Sequence, residues 1–245
     1  MVQLPTDIDS AIIQAQGATQ TALAAGNRRL QIELNIPELK IMPIAERFLP
    51  MFENLQLKLR VFFPDAGSAA LARRDWGHKP YEIRGMEELK AMIHPDDQLF
   101  LFIEPSAVEV ETVEKLCDQA GDRPVVLLNP RLEDIATIGI GYAGRQLRER
   151  FLSTFICSYY LRPLEKAAIL RAYPHPWQVW VETDSNAYAL VTEQVNKPMG
   201  DELDRILSGT PTPDQLGTPS SIPPWKAKKN GFLSELQTLF RALTH

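Results

Sequence analysis

The chain has 245 residues, which suits one large domain or one domain with an appendage. Its hydrophobic share of 44% supports a sizeable buried core, and its charged share of 23% is ordinary for a soluble protein. A formal net charge of −5 argues against a whole-surface nucleic-acid binder and leaves room only for a local basic patch.

The start, MVQLPTDIDSAIIQAQG, shows no basic n-region and no apolar h-region of a secretory signal. No apolar run reaches the roughly 20 residues that a bilayer span requires. The expectation is a soluble protein, or one attached to a membrane only at its surface. Cys117 and Cys157 stand in no CxxC arrangement. They fit a reducing compartment and read as free thiols in apolar surroundings.

Taken in chain order, Thr6 to Ala25 reads as a helix capped by Thr6 or Asp7 and ended by Gly26-Asn27. RRLQIELNIP reads as a strand, with Ile32, Leu34 and Ile36 alternating against Gln31, Glu33 and Asn35, and Pro37 closing it. IAERFLPMFENL has a helical period that Pro50 kinks or breaks. LKLRVFFP reads as the second strand; Asp65, Gly67 and Ser68 follow, and AALARRDW begins another helix. YEIRGMEELKAMI, which ends at His94-Pro95, has no clear reading.

QLFLFIEP and RPVVLLNP read as the third and fourth strands. Both are almost wholly apolar, as strands covered on both faces should be. VEVETVEKLCDQAG between them is a helix closed by Gly121. Strand alternating with helix at this spacing predicts βαβ units in a mostly parallel sheet. Beyond Glu165 the pattern changes. KAAILRAYP reads as a short helix ended by Pro174, QVWVET and AYALVTEQV as a hairpin around Asp184-Ser185-Asn186, and GDELDRILSG as a last helix.

The fold class that follows is α/β and Rossmann-like: a mostly parallel sheet flanked by helices, with an antiparallel edge hairpin. Residues 1–209 form this domain. Residues 210–224, rich in Pro, Thr, Ser and Gly, form a linker. Residues 225–245 carry an amphipathic pattern. Lys226, Lys228 and Lys229 precede Phe232, Leu236 and Phe240 on one helical face. Such a tail can lie in an anionic membrane surface, dock on a partner or fold back on its own domain.

In a parallel sheet, ligands gather at the carboxyl ends of the strands. Those ends carry Asn35, Asp65, Gly67, Ser68, Glu104, Ser106, Asn129 and Arg131. They can line one polar rim. Asp65, Ser68 and Ser106 are also ordinary helix caps. Gly139, Gly141 and Gly144 spell GxGxxG, but after the fourth strand rather than the first, and without the acidic partner of a dinucleotide site. The glycines serve either as a tight turn that lets a helix pack or as an anion loop completed by Arg145 and Arg148.

The four histidines, His78, His94, His175 and His245, lack metal-ligand spacing. No GxSxG elbow and no P-loop is present. No cofactor and no catalytic residue is expected, and an enzyme is the less favoured reading. A nucleotide- or phosphate-metabolite-binding protein or enzyme using Gly139–Gly144 is the alternative.

VFFPDAGSAALARRDWG, RPVVLLNPRLEDIATIGIGYAGRQLRERFLSTF and YYLRPLEKAAILRAYP together resemble a domain-of-unknown-function family of cyanobacteria and plastids. Its plant members include the Low Photosystem II Accumulation 3 assembly factor, and a related domain follows the kinase domain of a chloroplast adenylate kinase. The chain shows no plastid transit peptide and is similar to the cyanobacterial form. The resemblance transfers no active-site role to any position. It implies a non-catalytic assembly or interaction protein for photosystem II and thylakoid complexes, cytoplasmic or peripheral on the thylakoid membrane. Its expected partner is a photosystem or thylakoid subunit, contacted through Gly139, Gly141, Gly144, Arg145, Arg148, Asp65, Asn129 and Arg131.

Overall fold

The computed structural model describes residues 2–53, 55, 57–88, 93–132, 142–185 and 187–209. The linker and tail from 210 onward, and with them Lys226, Lys228, Lys229, Phe232, Leu236 and Phe240, lie outside the described residues, as do Gly139 and Gly141.

Helix α1 spans Ile8–Ala24. Asp7 caps it by accepting from the Ser10 N–H at 2.7 Å, and the Ser10 hydroxyl takes the Asp7 N–H in return. Strand β1 (Arg29–Leu34) alternates half-buried and buried positions, as its sequence predicts. Pro50 divides the next helical stretch into α2 (Ile41–Phe48) and α3 (Pro50–Glu53); proline has no N–H for the helix ladder and so starts a new turn.

Strand β2 (Leu59–Phe63) leads to α4 (Ala66–Asp75), and the stretch without a clear sequence reading supplies a short strand, β3 (Glu82–Gly85). β4 (Leu99–Ile103), α5 (Val110–Ala120) and β5 (Val125–Leu128) follow. The strands expected as third and fourth are therefore the fourth and fifth. After β5 come α6 (Tyr142–Arg150) and four strands: β6 (Ile156–Leu164), β7 (Ala167–Ala172), β8 (Trp177–Glu182) and β9 (Tyr188–Gln194). Helix α7 (Gly200–Leu207) is the last described element.

The strands form one nine-stranded sheet in the order β3-β2-β4-β5-β1-β6-β7-β8-β9. Pairing is parallel from β3 through β6 and antiparallel from β6 to β9. The antiparallel part is thus wider than the expected edge hairpin. The cause is a correction to the sequence reading: the AAILRA segment is strand β7, not a helix. Lys166, with φ 54°, turns the chain straight back from β6, and β7 pairs on both sides. Ala168 and Leu170 face one layer and Ile169 the other, so burial on two faces overrides the local helix preference.

Helices α1 to α4 cover the first face of the sheet with the larger apolar cluster, which includes Leu30, Val61, Leu101, Leu128, Tyr159 and Leu170. Helices α5 and α6 cover the second face over β2, β4 and β5. A smaller cluster of Cys157, Tyr160, Ile169 and Trp177, joined by Leu203 of α7, covers the second face over the antiparallel strands. Each fully buried Leu or Phe contributes roughly 1.5–3 kcal/mol, so these layers dominate stability. Both cysteines are free and buried, as expected. Burial pushes each thiol up to about 12, which leaves them without nucleophilic character.

Candidate functional site: the strand-end rim

Neighbouring strands β2 and β4 send their connections in opposite directions. β2 leads through α4 on the first face to β3, and β4 leads through α5 on the second face to β5. That divergence is a topological switch point at the carboxyl ends of the two strands, where α/β proteins usually bind ligands. The polar residues expected at this rim are there, and each makes a specific contact.

Asp65 caps α4. It accepts from the Ser68 N–H at 2.8 Å and from the Ser68 hydroxyl at 2.7 Å. These hydrogen bonds, the backbone one foremost, hold its carboxyl below the usual aspartate range. Gly85 lies against this cap: a Cβ there would come within 2.6 Å of the Ala66 nitrogen. Ser106 is likewise a cap. Its hydroxyl accepts from the Val108 N–H at 3.3 Å and donates to Glu109 at 2.5 Å, while Glu109 also takes the Ser106 N–H at 2.9 Å. The serine–carboxylate contact is a capping box, not a nucleophile and its base.

β4 and β5 end in the same way. Glu104 and Asn129 each adopt a left-handed backbone, with φ 48° and 50°, and each precedes a proline. The two chains then stay in register: the Glu104 N–H donates to the Leu128 carbonyl at 2.8 Å and the Arg131 N–H to the Pro105 carbonyl, also at 2.8 Å. The Glu104 side chain meets Arg131 at 3.0 Å. Burial raises the Glu104 pKa, and Arg131 opposes that rise only in part because its own side chain is 73% exposed.

Asn129 does what no sequence pattern distinguishes. Its Oδ1 accepts the Leu34 N–H at 2.6 Å and its Nδ2 donates to the Leu34 carbonyl at 3.1 Å. The amide stands in for a backbone partner and extends β5 alongside the end of β1. Among the candidate residues it is the one most fully committed to the fold.

Helix α6 places Gly144 and Leu147 inward and leaves Arg145, Gln146, Arg148, Glu149 and Arg150 exposed. Gly144 therefore belongs to the helix, where it is buried. Arg150 reaches back to α5 through two bonds to Glu114, at 2.8 and 2.7 Å. Arg145 has no ion pair among the described residues.

A cavity lies elsewhere, among the described residues. It occupies about 620 Å³ at the opposite end of the sheet, where β2, β3 and β4 begin, and Arg60, Lys79 and Asp97 are among its lining residues. No motif marked it, because its lining comes from three separate stretches of chain. Among the described residues no cluster of His, Cys, Asp and Glu can hold a metal ion. Nor is any described helix long and apolar enough to cross a membrane.

A mostly parallel sheet with helices on both faces and a topological switch point between β2 and β4 defines a Rossmann-like protein. Its sequence from residue 5 to 205 matches the family described as Domain of unknown function (DUF1995). The match covers most of the chain and ends within α7, and the chain belongs to this family.

Proposed function

We propose that the chain is a non-catalytic interaction protein that recognises a partner through the exposed face of α6 and the adjoining rim. The observation that carries this reading is the division of labour at the rim. Asp65, Ser106 and Asn129 are spent on caps and strand pairing, and Glu104 is paired with Arg131. On α6, Arg145 is exposed and makes no ion pair among the described residues. A surface with the guanidinium of Arg145 at its edge suits acidic groups on a macromolecule.

Following the resemblance to the photosystem II assembly factor family, the partner is a photosystem or thylakoid subunit met during complex biogenesis. The protein is then cytoplasmic and peripheral to the thylakoid. The 210–224 linker and the amphipathic 225–245 segment act as an arm that adds contact with an anionic membrane surface or the partner.

The test is affinity isolation from detergent-solubilised thylakoid membranes, with the full chain and with R145E/R148E as bait. The reading predicts enrichment of a photosystem subunit by the native chain and its loss with the charge-reversed chain. Equal recovery with both baits, or none with either, contradicts it.

A further inference from the structure

The cavity where β2, β3 and β4 begin has a floor that stability alone does not explain. On the second face of the sheet, Phe62, Phe100 and Phe102 form an apolar surface, and position 60 belongs to the same row. It holds arginine. The Arg60 Nε donates to Asp97 Oδ2 at 2.5 Å, and the two side chains are only 4% and 2% exposed. Replacing such a buried pair by apolar residues is commonly neutral or stabilising, so its presence is weak evidence for a purely structural role.

The frame around the pair is rigid. Asp97 also accepts the His94 N–H at 2.8 Å, and Arg123 donates to the carbonyls of His94 and Asp97 at 3.0 Å each. The Arg123 guanidinium in turn lies over the Phe100 ring, 5.0 Å from its centroid. Asp97 thus fixes the guanidinium by one nitrogen. No hydrogen bond joins the two Nη nitrogens to another described residue. Arg60 is one of the residues that line the cavity.

The other charges around the cavity are unequally matched. Arg84 is held by Glu82 at 2.7 Å and by Glu88 at 3.5 Å. Lys58 meets Asp96 only at 3.4 Å, between exposed side chains. Lys79 has no ion pair among the described residues. Once Arg60 is set against Asp97, the unmatched positive charge belongs to Lys79, and the unmatched donors are the Arg60 fork.

We propose that this cavity binds the phosphate group of a small phosphate monoester. Two Nη donors of Arg60 engage two phosphate oxygens, the arrangement a planar guanidinium fits best. Lys79 supplies compensating charge. The volume lies in the range of small-molecule sites and exceeds what a phosphate alone fills, so an organic remainder fits beside Tyr81 and Pro80. The site is independent of the α6 surface, and binding there gives an interaction protein a metabolite input.

The experiment titrates the full chain with inorganic phosphate, with glycerol 3-phosphate and with vesicles containing phosphatidic acid, read by amide chemical shifts. Saturable shifts at Lys79, His94 and Asp97, reached at lower concentration with the soluble ester than with inorganic phosphate, are expected. Lys79→Glu, a substitution at a half-exposed position, should weaken binding about tenfold without altering the melting of the unliganded protein. Arg60→Lys, which keeps the charge and loses the fork, should weaken it similarly; if that variant fails to fold, Lys79→Glu decides alone. Shifts scattered over the surface, or binding that Lys79→Glu leaves unchanged, overturn the proposal. Response to the vesicles alone overturns the assignment to a small soluble ester.

Discussion

Asn129 has two jobs at one position: a left-handed backbone that ends β5 and an amide that completes the end of β1. Alanine loses both bonds and strains the backbone. Asn129→Ala should therefore lower stability by about 2–3 kcal/mol in urea denaturation. Asn129→Asp keeps the acceptor for the Leu34 N–H, tolerates the backbone and should cost less than half of that. A ligand-binding amide left free in the unbound protein would show neither loss.

Asp65 gives a pH signature of known sign. Its folded pKa lies below the ordinary value of 3.8, so its capping stabilisation is present above that pH and fades as the pH falls through the folded value. Asparagine caps equally well and does not titrate. Asp65→Asn should leave stability near neutral pH almost unchanged and flatten the decline below about pH 4, whereas Asp65→Ala should cost roughly 1 kcal/mol at every pH above it. The capping duty of Asp65 and Ser106 was among the readings the sequence offered, and the strand-end clamp of Asn129 was not. A cap, a strand-end clamp and a ligand contact all call for Asp, Ser or Asn, and only the identity of the hydrogen-bonded partner separates them.

At the scale of elements, the sequence reads well wherever one segment determines its own state. Helices α1 and α5, the apolar strands β2, β4 and β5 and the β8–β9 hairpin all follow from period, caps and turn residues. It misleads where neighbours decide. The AAILRA segment has good helix formers, yet β6 and β8 pair with it on both sides and make it β7. β3 has four residues and one paired edge, too short a run for alternation to register. Its last residue, Gly85, is glycine because the first turn of α4 presses on it. Gly85→Ala should thus destabilise by about 1–3 kcal/mol through forced separation of β3 and α4, measurable by thermal or urea unfolding. Little change would mean that α4 is free to shift.

For the molecule as a whole, the two ends of the sheet serve different purposes. The carboxyl end joins the layers and launches α6, and the amino end holds the cavity around Arg60. The family match from 5 to 205 ends within α7, and residues 1–209 as the folding unit, with the remainder as an arm, is a proposal that truncation tests. A chain of residues 1–209 should melt at the temperature of the full chain and lose co-sedimentation with anionic liposomes. Sedimentation that survives truncation would move membrane contact to the domain itself.

The proposed interface sets α6 against a partner. Site-specific photo-cross-linking tests it most directly, with a photoreactive side chain placed at Arg145 and, as a control, at exposed Val195 on the far side of the antiparallel strands. In solubilised thylakoid membranes, position 145 should give a discrete adduct with a photosystem subunit and position 195 should give none. Adducts from 195 alone, or none from either position, would contradict the account.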